Sequence, residues 1–253
     1  MKNLLIALTL LMSSSIVLAA EGGVKLDSMQ PNLHDKTSLQ RGATLFTNYC
    51  MACHSLKYAR YERIAKDLDI PKDIYKKNLI FNNDKIGSLM TIAMTENEGT
   101  KFFGKAPPDL TSEAGVRGPD WLYTFLRAFY ADPSRPTGMN NAVYKKVAMP
   151  FVLADLQGVC AKKPKFGIPT KVDPLSGSIV KQSGCDDYLR KGSLTTAQYN
   201  QDVYDLVNFL VYMEKPYELK SQRIGTYVLI FLAFLFVLVW LLNKEYWKDI
   251  HRD

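Results

Sequence analysis

The segment NYCMACHSLKY, from Asn48 to Tyr58, sets two cysteines three positions apart with a histidine directly behind the second. Thiols and imidazoles serve redox exchange, metal binding and covalent attachment, so this pattern admits three chemistries: a thioredoxin-like dithiol, part of a zinc site, or attachment of a c-type haem. A dithiol enzyme needs its C-x-x-C at the start of a helix that follows a strand. The residues in front, TSLQRGATLFTNY, instead predict a helix leading in. Thr37 and Gln40 have capping-box spacing, and Leu39, Ala43, Phe46 and Tyr49–Cys50 share one face at helical spacing. A zinc site would need two more ligands at compact spacing, and no second C-x-x-C and no H-x-x-x-H exists among the four Cys and three His of the chain. Haem attachment needs no further cysteine. The thiols of Cys50 and Cys53 each add to one porphyrin vinyl group, and His54 is carried beneath the ring as proximal iron ligand. The other histidines, His34 in a polar N-terminal segment and His251 in the C-terminal tail, read as surface residues.

A six-coordinate electron-transfer haem needs a ligand on its far face, and a methionine thioether there raises the potential relative to a second histidine. Met29 lies in the polar N-terminal segment, where poor order is expected. Met51 sits inside the attachment turn, Met213 ends a C-terminal helix, and Met90 and Met94 stand at i, i+4 like packing residues. Met139 and Met149 remain, in RPTGMNNAVYKKVAMPFVL. Pro150 holds the chain after Met149 in a loop, which favours Met149 and leaves Met139 as the alternative.

Such a centre must be delivered and held in place. Residues 1–20, MKNLLIALTLLMSSSIVLAA, carry one lysine, an apolar run and small residues at the end, the anatomy of a secretory signal peptide cut after Ala19 or Ala20. There is no twin arginine and no cysteine near the cut to take a lipid. Residues 224–242, IGTYVLIFLAFLFVLVWLL, form an uncharged run long enough to span a bilayer, with Tyr227 and Trp240 near its ends. Lysines and arginines flank it equally, so orientation rests on the signal peptide. Residues 21–223 are expected outside the cytoplasm as one haem domain, and residues 243–253 inside as a short tail. That places the chain in a bacterial inner membrane as a single-pass protein with its haem domain in the periplasm. The formal charge of +7 is scattered among acids rather than gathered into a basic tract, which argues against nucleic acid as a partner.

Cys160 and Cys185 bracket a Lys-, Gly-, Pro- and Ser-rich loop. In an oxidising compartment they most simply pair, with two free thiols as the alternative; a bridge would stabilise by roughly 3–4 kcal/mol. The helix before the motif and a second over TTAQYNQDVYDLVNFLVYM, with Val203, Leu206, Val207 and Leu210 on one face, could cross as a packed pair, with Gly42 permitting close approach. The expected fold is mostly α: an enlarged cytochrome c-like haem domain with long loops, plus one C-terminal transmembrane helix.

Together SLQRGATLFTNYCMACHSLKYARYER, GKAPPDLT, VRGPDWLYTFLRAFYADPSRPTGMNNAVYKKVAMPFVL and the C-terminal span resemble the cytochrome c1 family, the haem subunit of the ubiquinol–cytochrome c reductase (cytochrome bc1) complex, in its bacterial form. The 95 residues from His54 to Met149 fit that resemblance. It implies Met149, in VAMP, as the axial methionine. It also implies a carbonyl of Pro107 or Pro108 as acceptor for the proximal imidazole, and Arg117 as partner of a haem propionate. Family members commonly have Phe-Pro before the axial segment and His after Met-Pro, where this chain has Tyr144-Lys145-Lys146 and Phe151. The resemblance further implies one covalent haem c, a Rieske iron–sulfur protein as electron donor, cytochrome b as neighbour, a soluble or tethered c-type cytochrome as acceptor, and a dimeric complex. The chain would do no bond chemistry of its own. The rival readings are a membrane-anchored cytochrome subunit of a terminal oxidase or dehydrogenase and a membrane-tethered thiol–disulfide oxidoreductase.

Overall fold

The structure is a computed structural model that describes residues 24–248 apart from 170, 173–178 and 182. The proposed signal segment 1–20 and the tail residues 249–253, with His251, lie outside the described residues.

Helix α1 (Lys36–Leu45) continues without a break into a π-helical turn, Phe46–Cys50, that delivers the C-x-x-C-H motif. Its cap differs from the expected Thr37–Gln40 box. Asp35 is the N-cap, its carboxylate accepting from the Ser38 amide at 3.0 Å. Gln40 instead reaches across to donate to the Leu68 carbonyl at 2.7 Å. Three short helices follow: α2 (Tyr61–Asp67), α3 (Lys72–Leu79) and α4 (Glu96–Phe103), the last opened by a capping box between Thr95 and Glu98. Next come α5 (Glu113–Arg117), α6 (Pro119–Leu126), with proline at its first position, and the single turn α7 (Ala154–Gln157). Helix α8 (Thr196–Glu214) starts at a Thr195–Gln198 capping box, and after a break at Lys215–Tyr217 the chain enters α9 (Glu218–Tyr246).

Helices α1 and α8 cross as the sequence predicts. A Cβ on Gly42 would stand 2.1 Å from the Asp205 carbonyl and 2.6 Å from the Phe209 Cβ, so only glycine admits this approach. From α8, Val203, Leu206, Val207, Phe209 and Leu210 are buried against Leu39 and Ala43 of α1 and Phe46 of the π-helical turn. Each such large side chain contributes about 1.5–3 kcal/mol on burial. The same crossing buries Asp205, which accepts from Ser38 Oγ at 2.6 Å and from Arg41 Nε at 2.5 Å, so its charge is paired where water is excluded.

Strands are more numerous than the weak strand signal suggests, but all are short. Four antiparallel pairs occur among the described residues: β1 (Leu56–Arg60) with β2 (Leu89–Met90), β3 (Phe129–Ala131) with β4 (Met139–Asn141), β5 (Gly158–Cys160) with β8 (Tyr188–Lys191), and β6 (Lys171–Val172) with β7 (Ile179–Lys181). They staple loops rather than build a sheet. Met90 is therefore a buried strand residue and Met94 lies in the loop behind it, so their helical spacing has no helix beneath it.

The N-terminal segment also departs from expectation. It is pinned down: Asp27 ion-pairs with the nearly buried Arg127, and its amide donates to Thr124 Oγ1 at 3.0 Å. Met29 is buried, with its amide donating to Asp120 at 2.7 Å, and the Asn32 amide donates to Asn208 at 2.9 Å. Residues 24–34 thus form a strap across α6 and α8. The chain's polar composition there hid partners that stand far along the sequence.

Candidate haem pocket

The end of α1 aims the motif. The π-helical turn closes with the Met51 amide donating to the Phe46 carbonyl, and the Cys53 and His54 amides both donate to the Cys50 carbonyl, at 3.0 and 2.9 Å. This compact turn presents Cys50, Cys53 and His54 to one cavity, which Met149 and Pro150 also line. Cys50 is buried and Cys53 half-buried. Burial, with Cys53 beside it, pushes the Cys50 thiol up to about 12, so it rests protonated. The remaining lining is apolar and aromatic, with Trp121, Leu122, Phe125 and Leu126 from α6 and Leu206 and Leu210 from α8.

His54 is oriented by a hydrogen bond. Its Nδ1 lies 2.8 Å from the Pro108 carbonyl, which can only accept, so Nδ1 carries the proton and Nε2 is left with its lone pair. Of the two prolines raised by the sequence, Pro108 makes this contact; Pro107 lines the cavity and packs on α4, where a Cβ on Gly99 would meet the Pro107 Cδ at 2.7 Å. The segment is fixed from behind. Leu110 N donates to the Ser55 carbonyl at 3.0 Å and Lys57 N to Asp109 Oδ2 at 2.7 Å, tying the proline loop to the residues just after the motif. Burial holds the imidazole pKa below its ordinary value against the Pro108 hydrogen bond, which favours the neutral, ligating form.

Met149 stands at the end of a braced loop that sequence reasoning missed. Lys146, three residues earlier, takes a left-handed φ of 58°, unusual for a non-glycine. Its amide donates to Asn140 Oδ1 at 3.0 Å, and its carbonyl accepts from Arg135 at 3.2 Å. Asn141 is fully buried; it donates to the Phe125 carbonyl and accepts from the Val143 and Tyr144 amides. The signal available was the pair of asparagines in GMNN, residues that hold turns through their side chains. Met139 itself lies in β4, half-buried against the core, and does not line the cavity.

Arg117 is at the rim of the same cavity, 3.4 Å from Glu113 and with its guanidinium 4.9 Å from the Trp121 ring centre. Trp121 stacks on Phe125 at 4.8 Å and meets Tyr144 edge-on at 6.5 Å. Tyr144 therefore borders the pocket, whereas Phe151 turns into the core and stacks on Phe129 at 4.6 Å. Cys160 and Cys185 face each other from β5 and the approach to β8, with Cα atoms 5.8 Å apart, a separation that suits a disulfide.

Two thiols, an imidazole with one nitrogen free, and a thioether line one largely apolar cavity, the side-chain types a c-type haem calls for, in a helical chain that ends in one long apolar helix. The chain matches the Cytochrome C1 family over residues 28–250. It is 45% identical to the cytochrome c1 of Allochromatium vinosum over 99% of this chain and 100% of that one. It is also 38% identical to a Nitrosomonas europaea protein described as ammonia monooxygenase gamma subunit, over 96% of this chain and 97% of that one. Among solved structures, a chain of a hyperthermophilic respiratory complex III is similar at a TM-score of 0.45 and 16% identity, over 99% of this chain and 97% of that one. This chain belongs to the cytochrome c1 family. Membership brings with it a c-type haem, an electron-transfer role and a membrane anchor.

Proposed function

We propose that this chain is the periplasmic haem subunit of a cytochrome bc1 complex, taking one electron from the Rieske iron–sulfur protein and passing it to a soluble or tethered c-type cytochrome. The observation that carries the reading is the convergence of Cys50, Cys53, His54 and Met149 on one apolar cavity in a chain of this family. Bound there, a single haem would supply a one-electron couple near the protein surface. Cys50 and Cys53 would tether it through thioethers. His54 would offer Nε2 to the iron, its ring held by the Pro108 carbonyl, which also makes it a stronger donor. Met149, which lines the same cavity, would offer its sulfur as the second protein ligand. The side chains of Trp121, Phe125, Leu206 and Leu210 exclude water, which favours the form of the centre with less net charge and so a raised potential. Arg117 at the rim, shared between Glu113 and the Trp121 face, is within the set of groups available to a propionate.

The remaining assignments belong to the same reading. Residues 1–20 export the chain, residues 21–223 form the haem domain, 224–242 anchor it and 243–253 stay in the cytoplasm. Cys160 and Cys185 bridge, which their 5.8 Å Cα separation supports. Cytochrome b and the Rieske protein are its neighbours in a dimeric complex. A second reading, a cytochrome subunit of another membrane oxidoreductase, draws on the 38% identity to the Nitrosomonas europaea protein, whose description attaches it to a monooxygenase. The dithiol reading is disfavoured by Cys50, whose buried, protonated thiol is a poor nucleophile.

Pyridine haemochrome absorption of the denatured protein tests attachment, and a band that is lost on acid–acetone extraction would sink the covalent reading. Co-purification with cytochrome b and a Rieske protein is expected; recovery with an oxidase or monooxygenase instead would overturn the complex assigned.

A further inference from the structure

A second cavity, of about 910 Å³, opens where the haem domain meets the anchor, between α2, the start of α1 and the α8–α9 break. Seven lysines and arginines line it against two carboxylates, Glu62 and Asp67. Both carboxylates are already engaged. Glu62 pairs with Lys72, and Asp67 pairs with Arg63 at 3.2 Å while accepting from Tyr212 at 2.8 Å. Asp69 holds Lys36. Lys66 and Lys220 form no ion pair among the described residues, and Lys215 has only Glu214 at 3.9 Å. Between these cations the wall is apolar: Leu33, Leu39 and Leu68, with the Tyr217 ring held 3.7 Å beneath the Arg63 guanidinium.

The position of the cavity is as informative as its charge. Lys215 and Tyr217 are in the break before α9, and Lys220 is in its first turn. The uncharged run begins four residues later, at Ile224, so Lys220 stands about 6 Å above the apolar segment, at headgroup depth. We propose that this cavity binds the phosphate headgroup of an anionic phospholipid in the adjoining leaflet. The unpaired ammonium groups meet the phosphate, and the leucines and Tyr217 take the glycerol and the first methylenes. A free phosphate ion would meet the same cations, but it would leave the apolar wall and most of the 910 Å³ unused. The inference rests on α9 as the membrane anchor and is independent of the haem assignment.

The test uses the full-length haem-loaded protein in neutral detergent, with phosphatidylglycerol or phosphatidylcholine added and retained lipid counted by native mass spectrometry. One phosphatidylglycerol is expected to stay bound, with phosphatidylcholine unable to replace it and inorganic phosphate unable to displace it. The double variant Lys66→Gln, Lys220→Gln should weaken retention about tenfold or more, with an unchanged haem spectrum reporting an intact fold. Lys162→Gln, an exposed lysine that does not line the cavity, should have no effect. Equal retention of both lipids, displacement by inorganic phosphate, or an unaffected double variant would each overturn the proposal. So would unchanged lipid retention with loss of a co-purifying subunit, which would make the cavity a protein contact. A chain that is recovered without detergent would refute the anchor itself, and that outcome is distinguishable from the others.

Discussion

At the residue scale the proposed chemistry rests on four side chains, Cys50, Cys53, His54 and Met149, that line one cavity. That Cys50, Cys53 and His54 share a cavity was legible from their adjacency, and Met149 was favoured over Met139 by the proline that follows it and by the family resemblance. Replacing Met149 with leucine is expected to lower the haem reduction potential markedly in a potentiometric titration, whereas Met139→Leu should change it little. A large shift in the second and none in the first would exchange their roles. The choice between Pro107 and Pro108 was not legible, since adjacent prolines offer carbonyls of equal chemistry and only the fold decides which one faces His54. Likewise Arg117 could be named as a charge at the rim, but not its competition between Glu113 and the Trp121 ring.

At the scale of elements, two devices position the residues of the candidate pocket. One is the α1–α8 crossing, predicted from two apolar faces and Gly42. Because an alanine there would place its Cβ 2.1 Å from the Asp205 carbonyl, which is backbone and cannot swing away, Gly42→Ala is expected to cost about 1–3 kcal/mol in denaturant unfolding. The other is the brace on the Met149 loop, which periodicity could not reveal because it is made of side-chain-to-backbone bonds in an irregular segment. Asn140→Ala strips the Lys146 amide of its acceptor. The expected result is about 1–3 kcal/mol of lost stability and partial loss of the methionine–iron absorption band. A stable variant with an intact band would show that the left-handed turn holds itself. The expected Thr37–Gln40 cap failed for a related reason: Asp35 already occupies the N-cap, which frees Gln40 to join α1 to the end of α2.

For the whole molecule, the sequence announces two ends and a helical middle. What it hides is the distance between partners in the middle. The strap was read as loose because its residues are polar, yet Asp27, Met29, Gln30 and Asn32 each bond to α6, to Arg127 just behind it, or to α8. Truncation after Glu218 is expected to release a soluble domain that keeps its haem spectrum, as checked by fractionation and absorption. Precipitation of that fragment would show that the anchor also covers part of the domain. The paired replacement Cys160→Ser, Cys185→Ser should lower stability by roughly 3–4 kcal/mol on the chain-entropy estimate, measured by denaturant unfolding with the haem band intact.

The strap has a consequence in time as well as in space. Asn32 is bonded to Asn208, 176 residues later, and Ser38 to Asp205, 167 residues later. Under the proposed export, residues 24–34 would emerge early and wait for nearly the last part of the domain before they could dock, since contacts separated so far form late. Until α8 arrives, the buried face of α1 lacks the partner it packs on in the folded domain, so under the proposed export Cys50 and Cys53 would pass through an interval of open access before closure. Pulse labelling during export should find haem attached before residues 24–34 become resistant to protease. The reverse order would mean that the domain closes first and admits its porphyrin through the finished pocket.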